Sequence, residues 1–349
     1  MSVFVLSGFD GQFSWRLHRK AWMLSMVLSA CLAMIIAASL MSGSYPLTIR
    51  DVVQTLFASA PTDTADTVVW QFRFPRTLVA AIVGALFALS GAILQNVTRN
   101  PLADPSLVGV SQGAGLAVVA TIVVFPEINQ AWRPILAFAG ALAVAALIQS
   151  IAMQKTGGAT MRFVLTGIGV AAFIAAITNA MLTYGNIDQA QAALGWLAGS
   201  IHAVGWNEVW SLSLCMCILI PLLIWAARYM SALRMGPEVA TGLGLPVRIA
   251  RIGLITLSVA LAAFAVSAVG PLGFIGLVAP HLARRLAHSG VGQHLMLTAL
   301  TGAIMVALAD YIGRTAFAPI QIPAGILTAI LGVPAFLFLI VRQNHTRQL

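Results

Sequence analysis

The chain has 349 residues, of which 60% are hydrophobic and only 8% charged, and its formal net charge is +9. Soluble domains carry far more charge, so the composition excludes them and indicates an integral membrane protein. The apolar runs have the length of helices, which predicts an all-α polytopic membrane protein and not an outer-membrane barrel. The basic residues are scattered singly or in pairs, as topology signals are, so the charge does not indicate a nucleic-acid partner.

The apolar runs predict about ten transmembrane helices with both termini in the cytoplasm. Residues 1–20 are expected to form a cytoplasmic N-terminal tail, 21–342 a single transmembrane domain and 343–349 a cytoplasmic tail. Short surface helices are expected at 49–57 and within 190–198. In chain order, the predicted spans are 21–41, 77–97, 105–125, 134–153, 162–183, 208–228, two within the run 252–282, 295–313 and 323–341.

The distribution of basic residues supports this orientation. It places fourteen of the nineteen Lys and Arg residues inside, including Lys155 in a predicted inner turn at 155–158. Such a bias is typical of cytoplasmic loops. Asp310 and Arg314 are four residues apart, a helical spacing that allows an ion pair. Five arginines remain outside and could face either an acidic partner or lipid headgroups: Arg50, Arg73, Arg76, Arg133 and Arg314.

The run 252–282 contains no charged residue and predicts a hairpin. As one helix it would be roughly 45 Å long, which exceeds the ~30 Å hydrocarbon core. Basic residues flank both ends, so both ends belong on the cytoplasmic side. The turn is expected at Gly270 and Pro271, with Gly273 and Gly276 just beyond. A turn at membrane depth must be enclosed by protein or line a water-filled cavity, so a translocation pathway and a plain surface loop are both open.

The longest inner loop contains a short predicted helix. Pro237 follows Gly236 as the first helical residue, and Glu238 places an acid in the first turn. Gly242 and Gly244 end the helix within about two turns. A helix this short is not stable alone, so it either docks onto a partner or is a plain connection.

The sequence lacks the residues of several chemistries. No phosphate-binding loop precedes Lys20 or Lys155, so ATP hydrolysis by that route is excluded for this chain. Carboxylates are scarce in the spans, where ion-coupled carriers usually place them. The cysteines and histidines form no pattern of a disulfide, a metal site or a cofactor site. These features predict a non-enzymatic subunit of a larger assembly.

Seven segments carry motifs that occur in the same order in one known family. They are WQFRFPR at 70–76, SGAILQNVTRNPLADPSLVGVSQGAG at 90–115, WLAGS at 196–200, GPEVATGLGLPV at 236–247, GPLGFIGLVAPHLARR at 270–285, ALTGAIMVALAD at 299–310 and IPAGILTAILGVPAF at 322–336. Through them the chain resembles the FecCD-type permeases, the membrane subunits of ABC importers for ferric siderophores, haem and vitamin B12. The resemblance extends from about Pro46 to Arg342.

The resemblance implies several partners in a bacterial inner membrane. They are cytoplasmic ATP-binding subunits that hydrolyse ATP, a second permease in a heterodimer or homodimer, and a periplasmic siderophore-binding protein. Arg73, Arg76 and Arg314 would meet acidic residues of that binding protein. The pathway would be bordered by Gly270, Pro271, Gly273 and Gly276. The coupling segment 232–247 would seat on the ATPase through Met235, Gly236, Pro237, Glu238, Ala240, Gly242, Leu243 and Gly244.

Two departures from the family pattern bear on the cargo. Gln321 stands where the family often has an acidic residue, and 289–292 reads Ser-Gly-Val-Gly where an Asp-His-Arg run is frequent. Both departures resemble the ferric-enterobactin-type subunit, which implies a catecholate siderophore. Haem or vitamin B12 import, a stand-alone secondary transporter and a membrane scaffold are the alternatives.

Overall fold

The structure is a computed structural model that describes residues 3–8, 13–43, 45–57, 62–152 and 159–346. The predicted inner turn at 155–158 lies outside these residues. The expected N-terminal tail contains an antiparallel hairpin of β1 (Val3–Gly8) and β2 (Phe13–His18). The first helix begins directly after it, at Arg19.

The described residues beyond the hairpin form fourteen α-helices joined by short connections. The helices are α1 (Arg19–Met41), α2 (Ile49–Phe57), α3 (Asp63–Asp66), α4 (Phe74–Thr98), α5 (Val110–Val119), α6 (Arg133–Ala152), α7 (Ala159–Tyr184), α8 (Ile187–Leu197), α9 (Trp206–Arg234), α10 (Pro237–Gly242), α11 (Val247–Val269), α12 (Ile275–Leu286), α13 (Val291–Thr315) and α14 (Ala324–Thr346).

Four short turns of other helix types adjoin these helices. A π-helical turn at Thr67–Arg73 precedes α4, and another at Ala120–Val124 extends α5. A 3-10 turn at Pro105–Val108 precedes α5, and another at Gln130–Trp132 precedes α6.

Contacts between helix ends define two faces. Arg99, after α4, donates to the carbonyl of Leu233 at the end of α9 at 2.9 Å, and we call this side the inner face. Arg314, at the end of α13, donates to the carbonyl of Ser39 at the end of α1 at 2.7 Å, on the outer face. Between the faces run α1, α4, α5, α6, α7, α9, α11, α12, α13 and α14.

The predicted all-α membrane architecture is confirmed. In the described part of the chain, seven helices are long and apolar enough to cross a membrane. Val110–Val124 and Ala324–Leu337 are shorter apolar helices, and α12 has only 12 residues. The surface helix α2 has the predicted bounds, whereas α14 continues to Thr346, into the expected C-terminal tail.

Helix α4 forms the centre of the molecule, whereas α1 lies at its edge. Almost all of α4 is buried, while α1 is exposed along most of its length. Paired glycines explain the burial, because a Cβ on Gly84 would overlap the backbone of Gly302 in α13. A Cβ on Gly91 would likewise overlap Gly276 in α12. These small residues bring helix backbones into contact, as in other membrane helix pairs.

Candidate functional site

The predicted hairpin is present, and its returning limb is short. Helix α11 ends at Val269, residues 270–274 are not helical, and α12 begins at Ile275. At 1.5 Å per residue, the 12 residues of α12 extend only about 18 Å. The hairpin therefore completes its return with irregular backbone, which requires surrounding protein or water at membrane depth.

Gly270 belongs to a junction of main chains at the outer end of the hairpin. Gly270 and Gly199 both have a positive φ, of 76° and 69°. A Cβ on Gly199 would overlap the carbonyl of Pro271, and one on Gly325 would overlap the carbonyl of Ala198. The nitrogen of Gly325 also donates to the carbonyl of Gly199 at 3.0 Å. The end of α8, the hairpin loop and the start of α14 are thus joined by backbone contact.

The other predicted pathway glycines differ in their surroundings. Gly276 is packed against α4, and an added Cβ would lie 2.8 Å from Cδ of Pro105. An added Cβ on Gly273 would meet no atom within 4 Å. Pro271 is half-buried. Of the four residues, Gly273 therefore has the open space that the wall of a pathway needs. Gly270 and Gly276 are closely packed against other parts of the chain. The pathway role itself stays a prediction.

Phe274 is a notable residue of this hairpin that the sequence reasoning missed. It has a left-handed backbone with φ 67°, which is rare for a bulky residue and costs of order 1–3 kcal/mol. Its side chain fills the space above Gly332 in α14, and its ring centroid lies 6.5 Å from that of Phe336. Glycine at 332 gives room for this side chain, but it does not identify Phe274 in the sequence.

The three outer arginines predicted to meet a binding protein are buried within this chain. Arg73, Arg76 and Arg314 are only 5%, 8% and 8% exposed. Arg73 donates to the carbonyl of Leu40 at 2.7 Å, and Arg314 donates to the carbonyl of Ser39 at 2.7 Å. Both carbonyls belong to the last turn of α1, where the helix dipole and unpaired carbonyls favour a cation.

Arg76 forms an ion pair between α4 and α13. Its Nη2 lies 2.7 Å from Oδ1 of Asp310, and its Nε lies 3.0 Å from each carboxylate oxygen. The pair between Asp310 and Arg314 that the helical spacing suggested is therefore wrong for the described residues, because Arg314 turns to α1 instead. Arg76 also donates to Oε1 of Gln321 at 2.8 Å, and His202 lies 2.8 Å from the same oxygen.

These contacts give the three arginines partners inside the chain. A guanidinium bound to its own helix ends cannot at the same time offer those donors to another protein. Their docking role stays a prediction, and it requires the three arginines to release these internal hydrogen bonds. Among the outer arginines, Arg50 has an exposed side chain and stands on the surface helix α2.

The segment predicted to couple to an ATPase contains the predicted short helix, α10, on the inner face. Gly236 and Gly244 flank it with φ values of 117° and 79°, which explains why glycine stands at both positions. Ala240 is fully buried and fixes the helix to the protein. Glu238 is exposed, and an added Cβ on Gly242 would meet no atom within 4 Å.

An apolar stripe in and beside α10 is left uncovered. Met235, Val239 and Leu243 are 58%, 48% and 62% exposed and follow one another at intervals of four residues. Val239 lies in α10, whereas Met235 follows the last residue of α9 and Leu243 follows the last residue of α10. Gly236, which has a φ of 117°, separates Met235 from α10, so the three residues do not share one helix. Of the three, only Met235 and Leu243 were singled out in the sequence. No group of three or more His, Cys, Asp or Glu residues that could hold a metal ion occurs in the described part of the chain.

The chain matches a family model and several characterised proteins over nearly its whole length. The model of the FecCD transport family matches residues 31–342. The chain is 37% identical over 335 residues to the "Probable siderophore transport system permease protein YfhA" of Bacillus subtilis (strain 168), covering 94% of this chain and 97% of that protein. It is 36% identical over 346 residues to the "Achromobactin transport system permease protein CbrC" of Dickeya dadantii (strain 3937), covering 97% and 99%.

A solved structure has the same fold. It is "An inward-facing conformation of a putative metal-chelate type ABC transporter", with a TM-score of 0.80 and 27% identity, and the match covers 92% of this chain and 99% of that chain. We conclude that the chain belongs to the FecCD transport family and is a multi-pass permease of the ABC importer type.

Proposed function

We propose that this chain is the membrane-spanning subunit of an importer that moves a ferric siderophore from the periplasm to the cytoplasm. Separate cytoplasmic ATP-binding subunits supply the energy. The observation that carries the proposal is the uncovered apolar stripe in and beside α10, formed by Met235, Val239 and Leu243. An apolar stripe on the inner face suits a soluble protein partner, and a coupling helix is the element through which such a partner acts.

The pathway lies between this chain and a second permease, which is either a different chain or another copy. Gly273 has open space where a side chain would point, and the irregular backbone beside it resembles the broken helices that line transport sites. ATP binding draws the two coupling segments together and opens the pathway to the inside. A periplasmic binding protein delivers the cargo at the outer face of an inner-membrane complex.

The cargo is a ferric siderophore, with a catecholate as the first candidate. Gln321 and the segment 289–292 support this choice, because both resemble the ferric-enterobactin-type subunit. Relatives of this chain are named as permeases of achromobactin, Fe(3+)-citrate and iron(3+)-hydroxamate systems. Uptake of radioactive iron is measured for a catecholate, a hydroxamate and a citrate complex. Uptake of labelled haem and labelled vitamin B12 is measured in parallel, and the comparison decides among these classes.

The central experiment reconstitutes the chain and its candidate ATPase in proteoliposomes, together with the candidate second permease and the periplasmic binding protein. We expect the chain and the ATPase to co-purify and uptake to require ATP. Leu243→Asp places a charge in the exposed stripe and should abolish both attachment and uptake, whereas Leu243→Met keeps the stripe apolar and should preserve both. Uptake by the chain alone under a proton or sodium gradient would instead identify a secondary transporter, and attachment that survives Leu243→Asp would remove α10 as the docking element.

A further inference from the structure

Helix α2 lies across the outer ends of two neighbouring segments. Its Val52 packs in one buried cluster with Leu40 of α1 and Val69 of the π-helical turn. The indole N–H of Trp70 donates to the carbonyl of Thr55 in α2 at 3.1 Å. These contacts hold α2 at the level where α1 leaves the membrane.

The sequence of α2 divides its circumference into an apolar and a polar part. At about 100° per residue, its apolar residues occupy one continuous arc of about 140°. The remaining directions carry polar side chains, and hydrogen bonds from Thr48 hold the pKa of Asp51 below its usual value. The apolar set is Ile49, Val52, Val53, Leu56 and Phe57, and the polar set is Arg50, Asp51, Gln54 and Thr55.

The protein covers only one side of the apolar arc. Val52 is buried, whereas Ile49, Val53 and Phe57 are 65%, 50% and 84% exposed. Around the helix, the order is therefore a face packed on protein, an uncovered apolar face and a polar face. A helix at the edge of a membrane protein has the same three neighbours in the same order: protein, lipid and water.

The surroundings of α2 favour lipid as the cover of this face. Helix α1, on which α2 packs, leaves most of its apolar surface exposed, including Met34. Trp206 stacks on Trp70 beside α2, and Trp210 is exposed on the next turn of α9. Tryptophans gather at the membrane–water interface, so this cluster marks that level.

We propose that α2 is an interfacial helix whose Ile49, Val53 and Phe57 side chains insert into the outer leaflet of the bilayer. It would anchor the outer end of α1 and the turn before α4 in the plane of the membrane. The proposal depends on the membrane location of the chain and on neither the cargo nor the ATPase. It therefore stands or fails separately from the proposed function.

The experiment measures where the probes lie in the full-length protein reconstituted into vesicles. In a variant with Cys31, Cys215 and Cys217 replaced, a fluorescent probe is attached at Val53→Cys or, as the matched control, at Gln54→Cys. We expect the probe at 53 to be quenched by nitroxides on lipid tails and spared by iodide, with the reverse at 54. Phe57→Cys repeats the measurement at a more exposed position, where packing is not disturbed.

Three results would overturn the proposal. Equal quenching by iodide at 53 and 54 would place both faces of α2 in water. Protection of position 53 from both quenchers would show that protein covers it, as a second permease would. Quenching by iodide that disappears when the periplasmic binding protein is added would assign the face to that soluble partner.

Discussion

The outer and inner ends of this molecule handle their polar and apolar groups in opposite ways. At the outer end, the charges of Arg73, Arg76 and Arg314 are buried and bound to the chain itself. At the inner end, an apolar stripe in and beside α10 is uncovered. The comparison teaches that a charge on the expected side of a membrane does not by itself identify a docking surface. An uncovered apolar group on an element that faces the aqueous side, away from the membrane, is the stronger indication of a partner.

The largest effect is expected when the outer ion pair is broken. Asp310→Asn leaves the guanidinium of Arg76 buried without its counter-charge, which costs about 3–5 kcal/mol in comparable sites. We expect a marked fall in the thermal unfolding temperature of the purified protein. Asp188→Asn, at an exposed position on α8, is the matched control and should change little. If both variants unfold at the same temperature, the outer cluster does not stabilise the chain and is available to a partner.

An intermediate effect is expected in the hairpin between the two ends. Gly276→Ala forces a methyl group against Pro105, and such overpacking costs about 1–3 kcal/mol. Gly273→Ala enters open space and should stay within about 0.5 kcal/mol of the parent. Thermal unfolding of the two variants side by side tests the difference. Equal destabilisation would show that Gly273 is a packing position as well, which would count against a pathway at this point.

The smallest effect is expected at the exposed outer arginine. Arg50→Glu should leave stability unchanged and weaken binding of the periplasmic protein only a few-fold, because rim charges are screened by water and salt. Binding is measured at low and high salt with the protein in lipid nanodiscs. A loss that is independent of salt would contradict an electrostatic contact, and unchanged affinity would exclude Arg50 from the docking surface.

Local signals in the sequence predicted much of the fold. The bounds of α2, the start of α10 after Gly236 and the turn after Val269 all follow from amphipathic spacing or from Gly and Pro. Asp104 caps the 3-10 turn before α5, with its carboxylate accepting from the nitrogen of Ser106 at 2.8 Å. These features depend on residues a few positions apart, so one sequence contains them.

The ion pair and the strained phenylalanine depend on distant parts of the chain. Arg76 and Asp310 are separated by 234 positions, and nothing near either residue predicts the other. The short-range rule favoured Arg314 for Asp310, but Arg314 instead donates to the carbonyl and the hydroxyl of Ser39 at the end of α1. Phe274 adopts its conformation only because α14 provides Gly332 opposite it. Tertiary packing therefore determines the ion pair and the conformation of Phe274, which local sequence patterns do not predict.

The junction of Gly199, Gly270 and Gly325 has a consequence for how such a permease can change. Because it consists of main-chain contacts, substitutions of the neighbouring side chains leave its geometry intact. A deletion in the 196–200 segment, by contrast, would shift three parts of the molecule at once. Adaptation to a new cargo or a new delivery protein is therefore expected to proceed by side-chain substitution, while the lengths of these three segments stay constant.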